Sequence, residues 1–374
     1  MNREMIKNLF QTIVTGSPPE VGAAHYIDVG TEKFLDFFMT EVVDNLVFKG
    51  GATCRFFEGP FGSGKSHLLN LLHEMALQKR MLVAQIELTK AASLQDWQTV
   101  ATFILGSIQT TLNGEAIKSL PKILEAMGSK NLIDAHHLRT AQLPHPGFVN
   151  AMQRTIAGQN LREGQKDLLH RFLLGERIGA MRFREIGIQG VKNPLSRRNA
   201  ELVLNTILSG LYRLGLRVML LIDENERLLG GGASTRSRIA GNLMRRLVDA
   251  CHSNTIVGTV IIFTVLPGFI SDCAKTYTAL GERLLSPKTK GQYPGWRWPI
   301  LSIEAISTAK DPDEFLRGCV GKFEQLVSEG RGDIVNLKNQ LVQSGQEVLE
   351  RNAGISFRRD LLRRFASIAL GRLG

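Results

Sequence analysis

Residues 59–66 read Gly-Pro-Phe-Gly-Ser-Gly-Lys-Ser, a spacing whose residue types suit the binding of a phosphate chain. Gly59, Gly62 and Gly64, with Pro60, Phe61 and Ser63 between them, let backbone N–H groups close on phosphate oxygens. Lys65 can reach the β and γ oxygens, the Ser66 hydroxyl can ligate Mg²⁺, and His67 follows directly. A second chemical signature is Asp223-Glu224, at the end of the apolar run Arg217–Ile222. Asp223 there can hold Mg²⁺ through water, and Glu224 can orient or deprotonate an attacking water. An acidic pair in this place could also cap the helix that follows. Beside a phosphate loop, the pair predicts ATP and Mg²⁺ as cofactors and hydrolysis in preference to transfer to another acceptor.

The elements that must position these groups are legible on either side of them. Thr53–Glu58 is β-prone, and Leu68, Leu69, Leu71, Leu72, Met75 and Ala76 supply the apolar face of a helix after the loop. Met81–Leu88, Arg217–Ile222, Gly258–Val265 and Arg297–Ile303 are further strand candidates, with the apolar stretch Thr255–Ile270 read as a buried strand. Near-continuous apolar strands separated by helices imply an α/β fold, a parallel sheet covered on both faces. Between Ala91 and Leu214 the pattern is helical, broken at Gly114, Pro121 and Pro144-His145-Pro146-Gly147. This gives an N-terminal approach segment over 1–50, a nucleotide core over 51–90 and 215–303, a helical insertion over 91–214 and a C-terminal helical lid over 304–374.

A length of 374 residues and 43% hydrophobic content support a packed core. Met1–Phe10 lacks the pattern of a signal peptide, and Thr255–Ile270 is too short to cross a membrane, so a cytoplasmic, membrane-free setting is expected. The cysteines at 54, 251, 273 and 319 form neither a CxxC pair nor a zinc spacing. The formal net charge is +11, with basic clusters in 171–198, 236–246 and 351–374. Such an excess attracts a phosphate backbone, and double-stranded DNA is a possible partner. The same arginines could equally solvate helix faces, pair with an acidic protein or contact nucleotide across subunits.

The order of parts resembles the AAA+ class of P-loop ATPases: phosphate loop, acidic strand, a polar strand carrying Thr264, then a helical lid. Ile27–Glu32 looks like the segment that packs against adenine in relatives of the origin-recognition ATPases, which implies a base contact from Val29. Ile355–Leu362 looks like the lid helix with a nucleotide-sensing arginine, here Arg358, followed by Arg359. A closer resemblance spans Ile222–Glu226, Asn242–Cys251, Thr264–Phe269 and Tyr277–Leu284, with Ile13–Pro19 upstream. It is to the ATP-binding proteins of bacterial BREX phage-defence systems, of the BrxD type. That resemblance implies an ATP-driven component of a defence against foreign DNA, working with other defence-system proteins. AAA+ relatives further imply a homo-oligomer in which an arginine from a neighbouring subunit completes the site; Arg283 is the candidate.

Other segments extend these expectations. Arg245 and Arg246 lie opposite the face Ile239, Leu243, Leu247 and Cys251, and are expected to face solvent, DNA or another subunit. Gly230–Thr235 is either a flexible linker or a loop that contacts DNA or a partner. Trp296 and Trp298 could stack on a base but are expected to pack on the sheet and lid. Two functional classes stand side by side: an ATPase whose turnover acts on DNA, and a slow nucleotide-dependent switch that assembles partner proteins.

Overall fold

The sheet is built from the predicted apolar runs. In the computed structural model, β1 (Ala52–Glu58), β2 (Leu82–Glu87), β5 (Val218–Asp223), β6 (Thr259–Val265) and the short β7 (Ile300–Ser302) run parallel. An antiparallel hairpin, β3 (Gln109–Leu112) and β4 (Glu115–Lys118), extends the sheet beyond β2. Among the described residues the sheet has seven strands, in the order β4-β3-β2-β5-β6-β1-β7. The described residues are 1–88, 96–139, 142–158, 161–176, 178–179, 182, 185–188, 195–223, 235–285, 295–351 and 357–374.

The two-residue period of a strand sends neighbouring side chains to opposite faces, and both faces are covered. Phe56, Leu220, Ile222, Ile261 and Phe263 join one apolar cluster, in which the Phe56 and Phe263 rings stack at 5.4 Å. Helices α4 (Trp97–Ser107), α5 (Leu120–Ser129), α6 (Pro146–Ala157), α7 (Glu163–Leu173), α8 (Ala200–Arg213), α9 (Thr235–His252), α10 (Phe269–Thr276) and α11 (Thr278–Leu284) contribute to it. Phe57, Met219, Leu221, Val260 and Ile262 face the other way. There they meet α3 (Lys65–Gln78), α2 (Glu32–Phe37) and the π-helical stretch Phe38–Val47.

A third cluster lies apart from the sheet. It joins α1 (Arg3–Val14) to α13 (Pro312–Glu329), α14 (Leu337–Arg351) and α15 (Phe357–Arg372) through Ile6, Phe10, Phe323 and Phe365. A one-turn helix, α12 (Ile303–Ile306), leads from the sheet toward it. The chain crosses between this cluster and the sheet at Asp28–Thr31 and again after Ile306. The two crossings are bonded to each other, since Thr308 donates from its backbone N–H to Gly30 O at 2.7 Å. Gly30 has φ +84°, and a Cβ there would meet the Ala309 backbone nitrogen at 2.8 Å.

Three expectations change. The segment 91–214 is not helical throughout, because Asn113-Gly114, with φ +54° and +84°, makes the two-residue turn of the β3–β4 hairpin. Thr255–Ile270 is a strand only over β6 and becomes α10 from Phe269. The last strand begins at Ile300, not Arg297, because Trp296 and Trp298 turn onto the α2 side of the sheet and Pro299 has no N–H for a ladder. The Trp296 ring meets Phe34 edge-on at 5.7 Å.

Arg55, buried in β1, secures that turn by donating to the carbonyls of Trp296, Arg297 and Trp298. Arg55→Met is expected to keep the packing but strand these acceptors, lowering stability by about 2 kcal/mol. Chemical denaturation would show this as a lower midpoint with an unchanged slope.

Candidate nucleotide site

The phosphate loop leaves β1 at Glu58 and enters α3 at Lys65, so its backbone is held between a sheet and a buried helix. Gly62 and Gly64 have φ +78° and +100°, conformations that favour glycine. A Cβ on Gly59 would lie 2.3 Å from Ser63 Oγ, which requires glycine there for a second reason, space. The Lys65 ammonium donates to Gly59 O at 2.6 Å and Pro60 O at 3.2 Å, and sits 5.4 Å from the centre of the Phe61 ring.

Asp223, the last residue of β5, draws three predicted residues together. Its Oδ2 accepts from Ser66 Oγ at 2.6 Å, and its Oδ1 accepts from the buried hydroxyl of Thr264 on the adjacent strand β6. A cleft of about 250 Å³ opens over this group, lined by the whole loop Pro60–Ser66, His67, Val29 and Asp223. Glu224 and residues 230–234 lie outside the described residues.

The lid arginines take separate roles. The Arg358 guanidinium lines the cleft but rests 4.7 Å from the Phe315 ring centre and donates to Ala309 O at 3.1 Å. Burial pushes its pKa down from the ordinary arginine value. Arg359 also lines the cleft, donates to Gly16 O at 2.7 Å and brings its Cβ to 3.4 Å from where a Gly62 Cβ would lie. Arg363 reaches Val14 O at 3.1 Å, so Arg359 and Arg363 both bond to carbonyls near the C-terminus of α1.

Cleft residues without a role of their own in the sequence expectations are Ile303, Ile306, Phe315, Arg363 and, inside the expected adenine segment Ile27–Glu32, Asp28. Asp28 accepts two contacts of 2.8 Å from Thr31 Oγ1 and lies 3.5 Å from His67 Nε2. Their signal was weak because they come from three distant stretches of chain. Arg283 is not in this cleft. It pairs with Asp249 at 2.7 Å beside Arg245 and Arg246, in a separate, open depression. Arg245 bonds Asp249 at 2.7 Å and is only partly exposed, while Arg246 pairs with Glu201. Ile239 is 44% exposed. The buried stripe of α9 follows Ala240, Leu243, Met244, Leu247, Val248 and Cys251, leaving Ile239 at its edge.

The donor set fits a nucleotide with Mg²⁺. A hydroxyl and a carboxylate oxygen are hard ligands, and Mg²⁺ commonly takes one or two carboxylates with phosphate and water completing its shell. Among the described residues no group of three or more His, Cys, Asp and Glu could hold a metal by itself. Ser63 Oγ and His67 Nδ1 are buried at the cleft with no hydrogen-bond partner among the described residues, polar atoms that a bound phosphate chain could satisfy.

Behind the loop helix, His73 is buried between Gln85 Oε1 at 2.7 Å and Gln109 Nε2 at 2.5 Å. Burial lowers its pKa below 6.5. A histidine held neutral in the fold but free to charge when unfolded contributes stability above about pH 6.5, lost as pH falls toward its depressed folded value. Thermal unfolding from pH 7 to pH 5 should therefore show a fall in midpoint that is shallower in His73→Gln.

The first helix, the phosphate loop, β2 and the β3–β4 hairpin fall within one stretch that resembles a known family. Residues 1–157 match the family model of the BREX system ATP-binding protein BrxC/D. The BrxC/D match contains Gly59–Ser66 and Val29 but ends before Asp223 and Thr264, so the acidic half of the cleft lies beyond it. No curated protein matches the chain. No helix among the described residues is long and apolar enough to cross a membrane.

Proposed function

We propose that this chain is a Mg²⁺-dependent ATPase of the P-loop, AAA+ class and a component of a BREX defence system. The observation that carries this reading is the junction of Ser66, Asp223 and Thr264 beneath the phosphate loop. A simple anion site needs only the loop, whereas a carboxylate bonded to the loop hydroxyl supplies the ligands of a metal at the phosphates. The BrxC/D match over the loop supports ATP as the nucleotide.

In this reading the N–H groups of Gly59–Ser66 and the Lys65 ammonium bind the phosphates. Ser66 and Asp223 would hold Mg²⁺, which when bound neutralises charge on the β and γ oxygens. Thr264 fixes the Asp223 carboxylate, and Glu224, next in sequence, prepares the attacking water. Val29, Ile303 and Phe315 offer an apolar slot for the base, and Arg358 with Arg359 joins the lid to the phosphate end. Arg283, with its side chain 53% exposed, is assigned to the site of a neighbouring subunit in a homo-oligomer. The basic excess supports action on double-stranded DNA, with other defence proteins performing the DNA cleavage or modification.

Steady-state phosphate release by the purified chain, with and without duplex DNA, tests the reading. Mg²⁺-dependent turnover that rises with DNA is the expected result. Binding of ATP without turnover on any DNA would replace the motor with the switch, and no ATP binding would remove both.

A further inference from the structure

Beyond Lys65 in its first turn, helix α3 buries three further polar residues, Asn70, His73 and Glu74, among its leucines. Ser66, Asn70 and Glu74 are spaced four apart and share one side of the helix, about 12 Å from first to last. Ser66 faces Asp223, whereas the other two grip the N-terminal chain as it passes over the helix. Asn70 Nδ2 donates to Pro19 O at 2.6 Å. Glu74 Oε1 accepts from Gly22 N at 2.6 Å and Ala24 N at 3.0 Å, and Glu74 Oε2 meets His25 Nδ1 at 2.8 Å.

The position of these tethers in the chain gives them a function. The N-terminal segment lines the cleft up to Pro19, leaves it, and lines it again from Ile27 to Val29. Asn70 and Glu74 hold the excursion between, at both of its ends. We propose that Asn70 and Glu74 are positioning residues that set the apolar wall of the base slot against the same helix whose first turn holds the phosphates, so that base recognition depends on them and phosphate binding does not. The proposal rests on the nucleotide reading given above.

The tethers are themselves held in place. Asn70 Oδ1 accepts from Gln85 Nε2 at 2.6 Å, which fixes the amide so that its nitrogen faces Pro19. Glu74 is 7% exposed and meets only donors on the loop side. A glutamine in its place would turn an NH₂ group toward an N–H or toward His25, removing part of the grip without changing the volume of the side chain.

The test compares a ligand that has a base with one that does not. Affinities of the full chain for Mg²⁺-ATP and for inorganic tripolyphosphate are measured by displacement of a fluorescent ATP analogue. Glu74→Gln and Asn70→Ala should each weaken ATP by about tenfold and leave tripolyphosphate within about twofold. His25→Ala removes one tether from a half-exposed side chain and should shift ATP alone, by about threefold; it decides the matter if the buried variants do not fold. Equal weakening of both ligands, or of neither, overturns the proposal. A wild-type chain that binds no ATP overturns the nucleotide reading instead, and the two failures are thus distinct.

Discussion

Lys65→Ala is expected to reduce ATP turnover by about 10²- to 10³-fold, the loss that follows when one preorganised charge is taken from a phosphoryl-transfer site. The side chain donates to the loop carbonyls of Gly59 and Pro60 and sits by the Phe61 ring, three contacts within the phosphate loop. The loop's path depends on the glycine conformations at 62 and 64, which the substitution leaves intact. Unfolding temperature should therefore change little while phosphate release falls. A variant that turns over ATP at the wild-type rate would take Lys65 out of the chemistry and with it the nucleotide assignment of Gly59–Ser66.

Asp223→Asn separates the charge of the carboxylate from its place in the packing. An amide of the same shape can still accept from one hydroxyl and donate to the other, so Ser66 and Thr264 keep partners and stability should stay within about 1 kcal/mol of wild type. What is lost is the negative charge that favours a divalent cation. Turnover should fall by about 10²- to 10³-fold, and raising Mg²⁺ should no longer tighten ATP binding as it does in the wild type. Titration of ATP affinity against Mg²⁺ reads this directly. An unchanged Mg²⁺ dependence would show that the ion is held without Asp223.

Much of the central sheet could be read before the structure was known. β1, β2, β5 and β6 are each at least six residues of mostly apolar or β-prone sequence, long enough for their pattern to decide. The Ser66–Asp223 junction followed as well, because a phosphate loop and an acidic strand end must meet at the same edge of a parallel sheet. The β3–β4 hairpin did not, although Asn113-Gly114 is a strong turn signal. Each of its strands is only four residues long, with few apolar side chains to set against the helices around it. The lid arginines show a different limit. Resemblance alone put Arg358 on a helix beside the nucleotide, whereas its contacts with Phe315, Ser307 and Ala309 O come from residues remote in sequence. For the same reason Asp28, though inside the expected adenine segment, gained no role of its own from the sequence: its neighbour His67 lies on another element.

The bonded crossings at Gly30 and Thr308 have a mechanical consequence. Helix α1 and the C-terminal helices share one apolar interior, so the walls that they offer to the cleft form a single lever and not two independent flaps. That lever meets the sheet where two strands of chain are fastened side by side. Fastened in this way, the pair resists twisting and favours rotation about one axis, so a change at the phosphates would reach the N-terminal and C-terminal helices together as one stroke of fixed direction.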